Sequence, residues 1–294
     1  AGTNEWKYLL TNFIPRLRKR AGTIMGIESA TPRFALSGPI RRDRLFFFQG
    51  LEYRFVRTRI PSLPDLQNDT RLESFDAFSR FDAVLTATHR VTLIVSIFPQ
   101  KLDFVNLNTF NPMPTTPNFH QRGWFVAAHD QLAFQNGSLL QSSFSLKDFD
   151  VDIYGNSPPP FRITPNGNAG GWFNQQHRAS RRYEWVEVYD LPTISWGGQH
   201  AFKLGGQVAV NTFTGLDRNG SVHILRADGT LAQLETFLGE GRLQRRNTEV
   251  TFYGQDKWTI HPRLTLDWGI RYDRDGIARE NNIAPRVGFV LLPF

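Results

Sequence analysis

The sequence predicts an all-β chain: the wall of a transmembrane antiparallel β-barrel. Three observations point there. Apolar and polar residues alternate with period two along much of the 294 residues, tight turns alternate with long polar connections, and aromatics, 13% of the chain, gather near the ends of the alternating runs. Period two puts successive side chains on opposite faces of a strand. In lipid, a closed sheet satisfies its own backbone hydrogen bonds, and each crossing needs only ~10 residues.

Taken in order, residues 45–55 set Leu45, Phe47, Leu51, Tyr53 and Phe55 against Glu52 and Arg54, and residues 91–98 and 200–213 continue the pattern. Residues 248–260 set Val250, Phe252, Trp258 and Ile260 against Glu249, Gln255 and Lys257. The clearest run is 263–273 (RLTLDWGIRYD). There Leu264, Leu266, Trp268 and Ile270 are expected to face lipid, and Thr265, Asp267 and Arg271 the lumen. Tight connections are read at 41–44, 89–90, 135–137, 197–199 and 261–262. Long polar segments occupy about 14–32, 58–71, 102–119, 154–173, 215–244 and 275–283, carrying turn formers such as NPMPTTPN and GNSPPP. This rhythm matches short periplasmic turns and long extracellular loops around about twelve strands, with residues 6–13 and 283–292 as edge strands. Trp196, Trp258, Trp268 and Tyr272 sit near strand ends, where membrane-interface aromatics belong.

Composition removes other classes. With no cysteine, disulfide scaffolds, zinc ribbons, iron–sulfur sites and thiol nucleophiles are excluded. Mean hydropathy is −0.36 and no apolar run approaches the ~20 residues of a membrane helix. Lys+Arg total 34 against 27 Asp+Glu, a net charge of +7, yet only residues 16–20 (RLRKR) form a compact basic run, so nucleic acid is not an expected partner.

Three stretches carry a family resemblance. Gly2-Thr3-Asn4-Glu5 looks like the exit from a plug into a first barrel strand. LSGPIRRDRLFFF (36–48) looks like a hairpin of the form GGPI…LFFF. YGQDKWTIHPRLTLDWGIRYD (253–273) followed by NNIAPRVGF (281–289) looks like a QD-x-W…P-x-LTL…G-x-RY…N-x-x-PR-x-G strand pair. Together they resemble TonB-dependent outer-membrane receptors, in particular the Oar-like group that carries a carboxypeptidase-regulatory-like domain. The resemblance implies a partial outer-membrane barrel over 1–294, with 1–32 as plug junction, first strand and first loop, and 33–294 as strands and loops. It also implies a substrate such as a siderophore, glycan, peptide or protein, and a periplasmic TonB-type energy-coupling partner. No plug or energy-coupling box precedes Gly2, and the chain supplies about half of the family's strands, so it reads as a barrel fragment; the terminal Phe294 is then a coincidental aromatic.

Chemistry at defined sites is sparse. Asp148, Asp150 and Asp152 share one strand face; three carboxylates there could hold a calcium ion, but the favoured reading is a polar lumen face at a strand end. Asp217–Ser221 (DRNGS) lacks the downstream Glu of a calcium loop. The seven His residues show no metal spacing, and no G-x-S-x-G elbow occurs. No catalytic residue, cofactor or metal is therefore proposed, and the chain is not read as an enzyme. Residues 222–234 (VHILRADGTLAQL) spell a loop hairpin around Asp228-Gly229. Arginines collect at the outer strand ends: Arg57, Arg59, Arg178, Arg181, Arg182, Arg242, Arg245 and Arg246, with Arg274 and Arg279 beyond. Their planar guanidinium groups suit lipopolysaccharide phosphates. The alternatives to transport are an adhesin or secretion-associated surface barrel, and a soluble all-β carbohydrate-binding protein.

Overall fold

A computed structural model describes residues 4–20, 22–239 and 241–292. Gly2, Thr3 and Phe294 lie outside the described residues. The strands, in chain order, are β1 (Lys7–Thr11), β2 (Arg16–Arg20), β3 (Thr23–Ala30), β4 (Arg33–Arg41) and β5 (Leu45–Arg59). Next come β6 (Asp69–Thr86), β7 (His89–Ile97), β8 (Gln100–Asp103), β9 (Pro117–Ala133) and β10 (Leu139–Gly155). β11 (Phe161–Thr164), β12 (Gly167–Gly170), β13 (Asn174–Asp190), β14 (Ile194–Ser195) and β15 (Gln199–Asn219) follow. The last are β16 (Val222–Leu225), β17 (Leu231–Glu235), β18 (Arg242–His261), β19 (Leu264–Asp275) and β20 (Asn281–Leu291). Among the described residues there is no α-helix.

Twelve strands form one wall in the order β1-β4-β5-β6-β7-β9-β10-β13-β15-β18-β19-β20, each antiparallel to its neighbours, with β1 and β20 at its edges. The connections at one end are short and those at the other mostly long; the exception is 275–283, where β19 runs to Asp275 and β20 starts at Asn281, leaving only the five-residue connection 276–280. The turn read at 89–90 closes two residues earlier, at 87–88, because Thr86 pairs with His89 across a register shift and its hydroxyl accepts the Thr88 N–H. All six stretches read as long connections are partly strand, because the wall strands run on into them and short strands form inside three of them. The 14–32 segment is a β2–β3 hairpin tied down by Arg18, whose Nη1 donates to both Asp69 carboxylate oxygens (2.8 and 3.1 Å), and β15 extends to Asn219. The wall thus rises well past the ~10 residues of a bilayer crossing, since each long strand finds ladder partners on both sides.

Cross-strand partners share a face. One row across eight strands reads Phe47, Phe81, Leu93, Ala128, Phe144, Trp185, Val208, Val250. The row one residue along reads Phe48, Arg80, Ile94, Ala127, Ser145, Glu184, Ala209, Glu249. The first row is apolar throughout; the second alternates charge with small or apolar groups. Only five apolar side chains are buried among the described residues, whereas Trp185, Phe144, Trp268 and Ile270 stand about half exposed on the apolar face. A water-soluble sandwich would bury such a face; a face this apolar and this open requires a nonaqueous partner.

Candidate functional site

The long-loop end is built, not loose. β11 and β12 come from the 156–173 connection and β16 and β17 from the 220–241 connection, and they join as a four-stranded sheet β12-β11-β16-β17 in which β11 and β16 run parallel. The 222–234 hairpin forms as the Asp228-Gly229 signal predicts: Gly229 supplies the positive φ (81°), and Asp228 Oδ1 accepts the Thr230 N–H (2.9 Å) and hydroxyl (2.7 Å). Those two donors hold the Asp228 carboxyl below the usual carboxylate range. Buried Phe161 packs edge-on against Trp172, and Phe173 stacks on Phe237 at 5.9 Å. A third connection joins in, as Asn168 N–H donates to Phe110 O at 2.7 Å and Asn168 Nδ2 to Asn111 Oδ1.

Where the 156–173 and 220–241 connections leave the ends of β10, β13 and β15 lies a cleft of about 530 Å³ lined by Asn156, Pro158, Pro159, Trp172, Phe173, Gln175, Arg218 and Asn219. Asparagine amides fix its walls: Asn156 donates to Thr116 O (2.9 Å), Asn118 donates to Asn156 (2.7 Å), and Asn174 to Asn219 (2.7 Å). The Trp172 indole N–H is buried without an acceptor. Aromatic faces, proline rings and a guanidinium suit a ligand with a ring face and acceptor oxygens. The sequence offered only the Pro-rich run as a signal, which reads first as a turn.

The predicted residues sort by face. Leu264, Leu266, Trp268 and Ile270 share the apolar face with Trp258 and Tyr272, while Thr265, Asp267, Arg271 and Asp273 take the polar one. Trp196 and Trp258 lie at the short-turn end, joined by the Trp258 Nε1 to Gly197 O bond (3.1 Å), and Tyr272 lies near the other end, donating to Asn281 (2.8 Å). Asp148, Asp150 and Asp152 depart from expectation. They share the face of Phe144 and Leu146, not the polar one, and are tied to Arg122 (2.7 and 2.6 Å), Arg181 (2.5 Å) and His177 (2.7 Å). They form an ion-paired band above the apolar belt.

The arginines divide the same way. Arg57, Arg59, Arg181, Arg242, Arg246 and Arg274 register on the apolar-face side, beyond the belt. Arg178, Arg182 and Arg245 register on the polar face, and Arg182 binds Glu184 (2.7 Å) and Asn211 (2.9 Å) there. Adjacent residues such as Arg181 and Arg182 cannot face the same side of one strand. Arg59 pairs with Asp65 at 2.9 Å; Arg57 lies 5.5 Å over the Phe55 ring and directly opposite Arg71, with its Nε buried and unpartnered.

Known structures share this geometry. The outer membrane transporter YddB of Escherichia coli superposes over 97% of this chain and 40% of its own length, with TM-score 0.66 and 13% identity. The fold is that of an outer-membrane receptor barrel. The siderophore receptor PirA of Acinetobacter baumannii aligns over 100% of this chain and 42% of its own (TM-score 0.63, 12% identity). The pyoverdine receptor FpvA of Pseudomonas aeruginosa aligns over 90% and 40% (0.63, 10%). The chain therefore spans about two-fifths of the receptors it resembles. No protein-family model matches the chain, and no curated protein matches it. In a barrel of this kind the apolar face meets lipid and the polar face lines the lumen.

Proposed function

We propose that this chain forms part of the wall and outer rim of an outer-membrane receptor-transporter, which captures a large substrate at the rim and admits it through the lumen. The observation that carries this reading is the rim itself. Three long connections lock together over a cleft on a wall with a lipid face and a charged lumen face, an arrangement that presents a rigid capture surface outside the membrane. Passage then depends on a plug displaced by a periplasmic TonB-type protein, and the resemblance of residues 36–48, 253–273 and 281–289 to Oar-like motifs supports a receptor of that group. Among the substrate classes, a glycan or peptide bearing ring faces fits Trp172, Phe173 and Arg218 best. At the outer leaflet, Arg57, Arg246 and Arg274 are the arginines positioned to meet lipopolysaccharide phosphate.

The test is uptake by cells carrying the receptor gene, against a panel of ferric siderophores, oligosaccharides and peptides, with the TonB-type protein present or deleted. Energy-dependent uptake of one class, lost in Trp172→Ala/Arg218→Ala while the heat-shifted gel band persists, is expected. Uptake unaffected by deletion of the energy-coupling protein refutes the transport reading.

A further inference from the structure

A second arrangement lies on the lipid side, at the short-turn end. His200 on β15 and Asp256 on β18 are 7% and 2% exposed. His200 Nδ1 stands 2.7 Å from Asp256 Oδ2, and its Nε2 stands 3.0 Å from the Trp196 carbonyl oxygen. The imidazole is stacked between Phe202 and Trp258, with centroid distances of 5.6 and 5.1 Å. The pair uses one carboxylate oxygen only; Asp256 Oδ1 is buried and accepts nothing. Beside it runs an apolar groove of about 660 Å³, whose lining includes Asp256, Trp196, Trp258, Leu266, Trp268 and Val287.

A buried carboxylate oxygen with no donor is costly, and Asp256 belongs to the groove's lining, so the groove calls for an outside donor. Tryptophan faces around a carboxylate are the chemistry that holds an organic ammonium. The donor must also carry an apolar body, because the rest of the lining is Leu266, Val287 and indole. The charge selection comes from Asp256 itself, which attracts amine headgroups and repels headgroups that are only anionic.

We infer that the groove binds a primary-amine phospholipid of the inner leaflet, its ammonium donating to Asp256 Oδ1 between the tryptophan faces and an acyl chain lying along Leu266 and Val287. This rests on the barrel reading above. The test reconstitutes the protein into phosphatidylcholine vesicles containing equal fractions of phosphatidylethanolamine and phosphatidylglycerol, extracts it in mild detergent, and counts retained lipids by native mass spectrometry. Retention of phosphatidylethanolamine over phosphatidylglycerol by about tenfold, equivalent to ~1.4 kcal/mol, is expected. Asp256→Asn abolishes that preference. Trp268→Leu, which leaves the His200–Asp256 contact intact, weakens it and serves if Asp256→Asn does not fold. Equal retention of the two lipids, or an unchanged preference in a folded Asp256→Asn or in Trp268→Leu, overturns the inference. So does displacement of the lipid by dissolved ethanolamine, which would make the ligand a free amine. A wild-type protein that shows no heat-dependent gel shift overturns the barrel reading itself, whereas a shifting protein without lipid preference overturns only this site.

Discussion

Arginine at Leu93 probes the assignment of the two faces most directly. Leu93 is the middle residue of β7, 38% exposed, and its cross-strand partners are Phe81 and Ala128. All three lie in the apolar row, so a guanidinium there has no carboxylate within the row and projects into the hydrocarbon midplane. Such a substitution costs ~2–4 kcal/mol at the midplane. That is about 30- to 1,000-fold in the folding equilibrium. Thr92, one residue away, faces the lumen and donates to Asp82 Oδ1 at 2.8 Å. Thr92→Arg exchanges that bond for a hydrated ion pair, worth ~0–1 kcal/mol either way. The assay is urea-dependent refolding into lipid vesicles, read by the heat-modifiable gel band and by tryptophan fluorescence. Leu93→Arg should move the midpoint to clearly lower urea, with Thr92→Arg near wild type. Equal shifts, or the reverse order, would mean that lipid and lumen faces have been exchanged.

Three further outcomes are expected. Leu266→Arg should weaken assembly less than Leu93→Arg, by ~1 kcal/mol, because Leu266 is the third residue of β19, close to the short-turn interface where the penalty falls; a larger effect than at Leu93 in the same refolding assay would contradict the depth assignment. Gly205→Ala should cost ~1–3 kcal/mol, since the Tyr253 ring lies where the new methyl would go, and paired Gly205→Ala/Tyr253→Leu should recover most of it in the urea titration. In the 222–235 hairpin, the folded Asp228 carboxyl sits below its unfolded value, so its stabilisation is present above the ordinary carboxylate range and is lost as pH falls through the depressed value. The protection factor of the Thr230 amide, its exchange rate relative to the intrinsic rate at each pH, should fall on acidification in wild type and be low at all pH values in Asp228→Ala; pH-independent protection in wild type would remove Asp228 from that role.

The long-period content of the sequence carried most of the architecture. Alternation at 263–273 is a local property of the chain, because side-chain direction follows from strand geometry alone. It therefore fixed which residues of β19 share a face before any partner was known. Turn chemistry is equally local, and Asn136-Gly137 and Asp228-Gly229 form where they are written. Strand ends are not local. β15 reaches Asn219 because β13 offers a partner as far as Asn174, and a polar stretch carries no record of that neighbour.

What the sequence determined by itself is therefore the fold class, the number of wall strands and the two-sidedness of each, all set by period two and by the spacing of turns. Only the tertiary structure decided which face the aspartates of KDFDVD occupy, since alternation relates them to one another and to Phe144, while their Arg122, Arg181 and His177 partners come from other strands. It alone joined β11 to β16, brought Trp172 and Arg218 to one cleft, and set His200 against Asp256 across 56 residues. The physical reason is the same in each case. A strand's own geometry specifies direction, but contact is specified by register, and register is settled only when the whole ladder of hydrogen bonds closes.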